Sequence, residues 1–104
     1  MTRKCFSFQI YPGKENEYQI RHDEIWPEML AALTQAGYRN YTLFLSKLTI
    51  VGCYELDDVD LISAERQHVE EVQSRWSKSM SEIIDFSTVS GPSAHDFHEV
   101  WHMN

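Results

Sequence analysis

The sequence predicts an α+β domain with the element order β-α-β-β-α-β. Three observations carry that prediction. Four short runs are strand-like in composition or two-residue alternation, two longer runs repeat apolar residues every three or four positions, and turn-forming residues stand at most of the joins. A chain of 104 residues supports one core and is too short for two, so a single domain over 1–104 is expected. At 42% hydrophobic and 24% charged residues the composition is that of a folded protein and not of a disordered one.

The first run, 4–11, alternates: Cys5, Ser7 and Gln9 share one face, and Phe6, Phe8 and Ile10 the other. That pattern is a half-buried strand. Pro12-Gly13 is a turn signal. From Lys14 to Ala36 the period becomes helical, with Tyr18, His22, Ile25, Met29, Leu30 and Leu33 at three- and four-residue steps and Gly37 at the C-terminal cap position. Pro27 interrupts this run. It lacks an N–H and its ring crowds the carbonyl of Asp23, so the helix kinks or restarts near Ile25–Trp26, with Pro27 as a natural first residue of the second half.

Runs 38–45 and 47–56 are both strand-like, and Ser46 and Lys47 leave room only for a tight hairpin between them. The acidic stretch 57–60 suits a helix start. An amphipathic segment follows to about Ile84, with a break conceivable near Arg66–His68. Residues 87–95 read as a loop. Residues 96–103 read as the last strand, with Phe97, Glu99 and Trp101 facing opposite to His98, Val100 and His102. This is the split β-α-β arrangement of ferredoxin-like folds. Helices on one face of a four-stranded sheet leave the other bare, and pairing with a second sheet would cover it, so a homodimer in the manner of a dimeric α/β barrel is expected.

Sixteen acidic against nine basic side chains give a formal charge of −7. A chain of that sign repels phosphate backbones and anionic lipid, so neither nucleic acid nor a membrane surface is expected as a partner. No run of ~18 apolar residues suggests a transmembrane helix, and the N-terminus lacks the apolar stretch of a signal peptide. Cys5 and Cys53 lie within strand-like runs rather than in a disulfide framework. They read as reduced, buried thiols of a cytoplasmic protein, and could form a redox pair only if their strands are neighbours.

The stretch EYQIRHDEIWPEM, residues 17–29, holds the main candidates. Tyr18 and His22, at i and i+4, share one helix face, and the kink at Pro27 would open a cleft beneath it. A histidine there exchanges protons near neutral pH, and the tyrosine adds a donor and acceptor on an apolar body. Trp26 and Trp76 would supply flat walls of the kind sugars stack against. The competing reading is that aromatics at helical spacing are core and that His22 is merely hydrogen-bonded within it. Arg21 reads as a surface partner of Glu17. His98 and His102, four apart on one strand, would be roughly 13 Å apart, too far to share an ion, so no metal site is expected. No phosphate loop, nucleophile elbow or His-Glu-x-x-His is present.

The chain resembles the L-rhamnose mutarotases. The likeness runs from RKCFSFQIYPG through EYQIRHDEIWPEM and GYRNYTLFL to RWSKSM and HEVWHMN, nearly the whole length. The resemblance implies a dimer of ferredoxin-like subunits that interconverts the α and β anomers of a 6-deoxy-L-hexopyranose without a cofactor. It implies that His22 is catalytic and that Tyr18 and Trp76 contact the monosaccharide. Two departures bear on the sugar. Ser77 stands where the family has the second tryptophan of a pair, and Ser46 replaces an acidic residue of a usually longer hairpin. L-Rhamnose is the expected substrate and L-fucose the alternative, since a site built around one hydroxyl discriminates against its misplacement. Small monooxygenases, haem-handling enzymes and plain binding modules share such folds, and fold alone does not separate them.

Overall fold

Strand β1 (Thr2–Ile10) lies inside the sheet of the computed structural model, which describes residues 1–89 and 92–104. Helix α1 (Glu15–Asp23) and helix α2 (Pro27–Gln35) follow, then β2 (Tyr38–Ser46), β3 (Thr49–Leu56), α3 (Ser63–Ser79) and the two-residue strand β4 (Ile84–Asp85). The sheet order is β2-β3-β1-β4 with every pairing antiparallel. That order is the split β-α-β arrangement expected from the sequence.

The local chemistry sets the joins. Gly13 at φ +83° turns the chain after β1, and Gly37 at φ +95° closes α2. The long apolar run does break at Pro27: α1 ends at Asp23, and the proline opens α2 as its first residue. The hairpin turns at Lys47–Leu48, one position later than the sequence suggests, with Lys47 at φ +56°. Helix α3 runs unbroken through Arg66–His68.

Phe8 and Ile10 point into a core with Tyr18, Ile50, Met80, Ile83 and Ile84. A second buried cluster, Met29, Ala32, Val69 and Val72, joins α2 to α3. Trp76 packs against both. The kink therefore has a packing consequence: α1 serves one core, α2 the other, and Trp76 bridges them.

Two expectations are corrected. The last strand is Ile84–Asp85, pairing with Ile10 and Gln9, and 96–103 is not a strand. After α3 only a short turn separates the chain from β1. Asp85 then accepts the Ser87 backbone N–H at 3.1 Å and starts the short helix α4 (Phe86–Val89), which ends the strand. A 3-10 turn, Pro92–His95, follows, so 87–95 is not plain loop where described. The C-terminal segment is instead tethered to β1 by Arg3, which lies 2.9 Å from His102 and 3.6 Å from Glu99, while Val100 and Trp101 stay exposed. The spacing argument for His98 and His102 falls with the strand. Cys5 and Cys53 are half-buried, not buried, and stand directly opposite on β1 and β3 with sulfurs 2.7 Å apart.

Candidate functional site

The Cβ direction on a helix places residues four apart one above the other, and Tyr18 and His22 use that geometry. Their rings lie 4.4 Å apart at 33° on the inner face of α1. His22 meets the edge of Trp76 at 5.4 Å. Arg21, beside it, does pair with Glu17 at 3.5 Å, and it also donates to the Ser79 carbonyl at 2.9 Å at the end of α3. This ties α1 to the helix that carries Trp76. Arg75 adds a second tie, with two parallel bonds of 3.0 and 3.2 Å to Glu28 on α2.

Between the two cores lies a cavity of about 640 Å³, walled by Tyr18, His22, Trp76 and Ser77 from the helices and by Phe6, Phe8 and Leu43 from the sheet. Three of the substrate candidates, Tyr18, Trp76 and Ser77, are thus brought together with His22. Trp26 is not on that wall. It stands behind Trp76, ring edge to ring face at 5.2 Å, and packs in the α2–α3 core.

The electrostatics give each group a state. His22 Nδ1 lies 2.9 Å from the Tyr18 carbonyl, an acceptor only, so Nδ1 carries the proton and Nε2 keeps a free lone pair. Desolvation lowers the His22 pKa below its ordinary value, opposed in part by the bond to Tyr18 and by the charge of Asp23. The imidazole is therefore neutral at pH 7. Burial raises the Tyr18 phenol well above its ordinary value, so it stays protonated and can donate.

The sheet contributes residues that sequence reasoning missed. Tyr38, Tyr41 and Tyr54 all line the cavity, Tyr38 and Tyr41 stacking at 5.8 Å and 21°. Residues three apart on a regular strand face opposite ways. Here β2 slips against β3 between Arg39 and Thr42, and Asn40 adopts φ +50°. The bulge inserts one residue and turns both tyrosines to the helix side. Asn in a strand flanked by aromatics is the only signal that could have announced it. Gln73 and His95 also reach the cavity.

Comparisons with known proteins agree with this architecture. The sequence model of one family, L-rhamnose mutarotase, matches residues 3–103. The chain is 37% identical over 106 residues to an L-rhamnose mutarotase of Oceanobacillus iheyensis, covering 100% of each protein. It is 32% identical to one from Escherichia coli O8 (strain IAI1), covering 99% of each. Among solved structures, an L-rhamnose mutarotase from Formosa agariphila superposes with a TM-score of 0.72 at 21% identity, covering 100% of both chains, which shows the fold.

Proposed function

The chain belongs to the L-rhamnose mutarotase family, and we propose that it interconverts the α and β anomers of L-rhamnose with His22 as the base. As a family member it is an isomerase. The observation that carries the reading is the state of His22: neutral, its Nδ1–H held by the Tyr18 carbonyl and its Nε2 lone pair free beside a cavity.

Anomer exchange needs little more than this. Nε2 takes the proton of the anomeric hydroxyl as the bond from C1 to the ring oxygen breaks, and a donor protonates that oxygen. Tyr18, or a water it holds, is that donor, since its phenol stays protonated. The aldehyde turns about C1–C2 and the ring closes on the other face, the protons returning along the same path. The chemistry is redox-neutral and asks only for placed donors and acceptors, each typically contributing about 10²–10⁴-fold. Trp76 offers the sugar an apolar wall.

Ser77 favours a second reading, L-fucose, because it opens the cavity rim where a tryptophan would close it. A homodimer accords with the sheet face opposite the helices, where Phe44 is 60% exposed. Magnetisation-transfer NMR between the anomeric protons of each sugar tests the proposal. Faster exchange of L-rhamnose with protein is the expected result; no acceleration of either sugar would overturn it.

A further inference from the structure

Helix α3 turns an apolar stripe inward, and one polar residue borders it. Val69, Val72 and Met80 are buried at 4%, 0% and 0% exposure, and Trp76 packs between them. At about 100° per residue, Gln73 falls ~40° from Val69 and ~20° beyond Met80, at the edge of that stripe on the side toward Ser77. A primary amide at that edge faces the cavity and not the packed core. It is half-buried, it lines the cavity with Tyr18 and His22, and among the described residues it makes no hydrogen bond. Ser77, one turn further on, stands about 80° from Val69, at the exposed rim of the same cavity.

A half-buried amide with no hydrogen-bond partner among the described residues, on the wall of a cavity, is free to meet a ligand there. Ser77, at i+4, makes no hydrogen bond with it, so among the described residues the amide is left to whatever enters the cavity. What the amide presents is a donor and an acceptor side by side, a match for two adjacent hydroxyls, one accepting and one donating. We infer that Gln73 is the specificity-determining residue of this cavity, holding a vicinal pair of ring hydroxyls while His22 works at the anomeric carbon. The substrate it selects is a pyranose with two neighbouring free hydroxyls in one relative orientation. This deepens the mutarotase reading and rests on it.

Two properties separate this role from a structural one. A glutamine there for packing would lose stability on replacement by leucine. A glutamine there for substrate gains or keeps stability in Gln73→Leu, because an amide with no partner among the described residues gives way to an apolar side chain beside an apolar face. The second property is sugar choice: the loss should fall mostly on KM and should narrow the ratio of kcat/KM between L-rhamnose and L-fucose, which differ in hydroxyl orientation.

The experiment compares wild type, Gln73→Leu and Gln73→Met. Anomer exchange is followed by magnetisation-transfer NMR over a range of each sugar, sugar binding by saturation-transfer-difference NMR, and unfolding by thermal melts. The expected result is an unchanged or higher Tm with about tenfold loss of kcat/KM on the preferred sugar, weaker binding in parallel, and a preference moved toward unity. Equal binding and equal kcat/KM in wild type and variants, or a fall in Tm with sugar preference unchanged, would overturn the inference. Binding of both sugars that depends on Gln73 in a wild type that accelerates neither would uphold the hydroxyl contact and overturn only the mutarotase reading. Absence of binding would overturn both.

Discussion

The ring of Phe6 covers Gly52 on the neighbouring strand, in the space a side chain would need. A Cβ at Gly52 would run into three ring carbons of Phe6, which line the same cavity as His22. The pairing Phe6↔Gly52 is one rung of the β1–β3 ladder, so the ring can give way only by turning about its own side-chain bonds into the cavity it lines. Gly52→Ala should cost about 1–3 kcal/mol by overpacking, a drop of roughly 4–8 °C in Tm for each kcal/mol. It should also lower activity, because Phe6 packs edge-on against Tyr41 at 6.1 Å. A thermal melt and an exchange assay on one preparation check both; an unchanged Tm would show that Phe6 moves freely.

His22→Asn should remove most anomer exchange, about 10²–10⁴-fold, and leave the fold intact. The half-buried ring is replaced by a smaller polar group at a cavity wall, so little packing is lost. Circular dichroism alongside magnetisation-transfer NMR separates the two effects. Near-normal exchange would remove His22 from the mechanism.

The pH profile follows from the lowered His22 pKa. As the base, His22 is active when neutral, so kcat/KM should be level through neutral pH and fall on an acid limb centred below 6.5. Stability has the same direction. The unfolded chain takes up the proton first as pH falls, so the contribution is present above 6.5 and is lost as pH drops from 6.5 through the lower folded-state value. Profiles of kcat/KM and of Tm test this, and an acid limb above 6.5 would contradict it.

Cys53 should alkylate slowly. Its thiol is held at about 11 against an ordinary 9.0, first by the hydrogen bond with Cys5 and then by burial. The thiolate is the nucleophile, so iodoacetamide labelling at pH 8 should be slower than for a free thiol and faster in Cys5→Ala. Mass spectrometry of the labelled peptides gives the rates. Equal rates in both proteins would show that Cys5 does not govern Cys53.

Replacing Met80, which has 0% exposure, with alanine should cost about 2–5 kcal/mol, since Ile84 is paired to β1 and the Ile83 carbonyl accepts the Tyr11 N–H, which holds both neighbours away from the gap. Chemical denaturation measures it. A loss below ~1 kcal/mol would show that the core collapses around the void.

Much of the fold could be read from local chemistry. Pro27 fixes its own φ, Gly13 and Gly37 permit the positive φ their turns need, and all three joins stand where the sequence expects them. Tyr18 and His22 share a helix face by spacing alone. The tyrosines of β2 could not be read the same way, because alternation assigns Tyr38 and Tyr41 to opposite faces until a bulge intervenes. Alternation places the last strand at 96–103, while the competing signal for an earlier end is one capping side chain, Asp85 ahead of Ser87. Composition offers Trp26 as a flat wall beside Trp76, but residue type carries no depth. Only packing shows that Trp76 stands in front of it.

The edge-to-face contact of Trp26 and Trp76, with His22 5.4 Å from the latter, also makes the site an optical probe of itself. Two indoles 5.2 Å apart couple their strong far-ultraviolet transitions, which circular dichroism reads as a pair of bands of opposite sign. An imidazolium beside an excited indole quenches it, whereas a neutral imidazole does so far less. The protonation of the base and the arrival of a transparent sugar can both be followed in the emission of the native protein, without any attached dye.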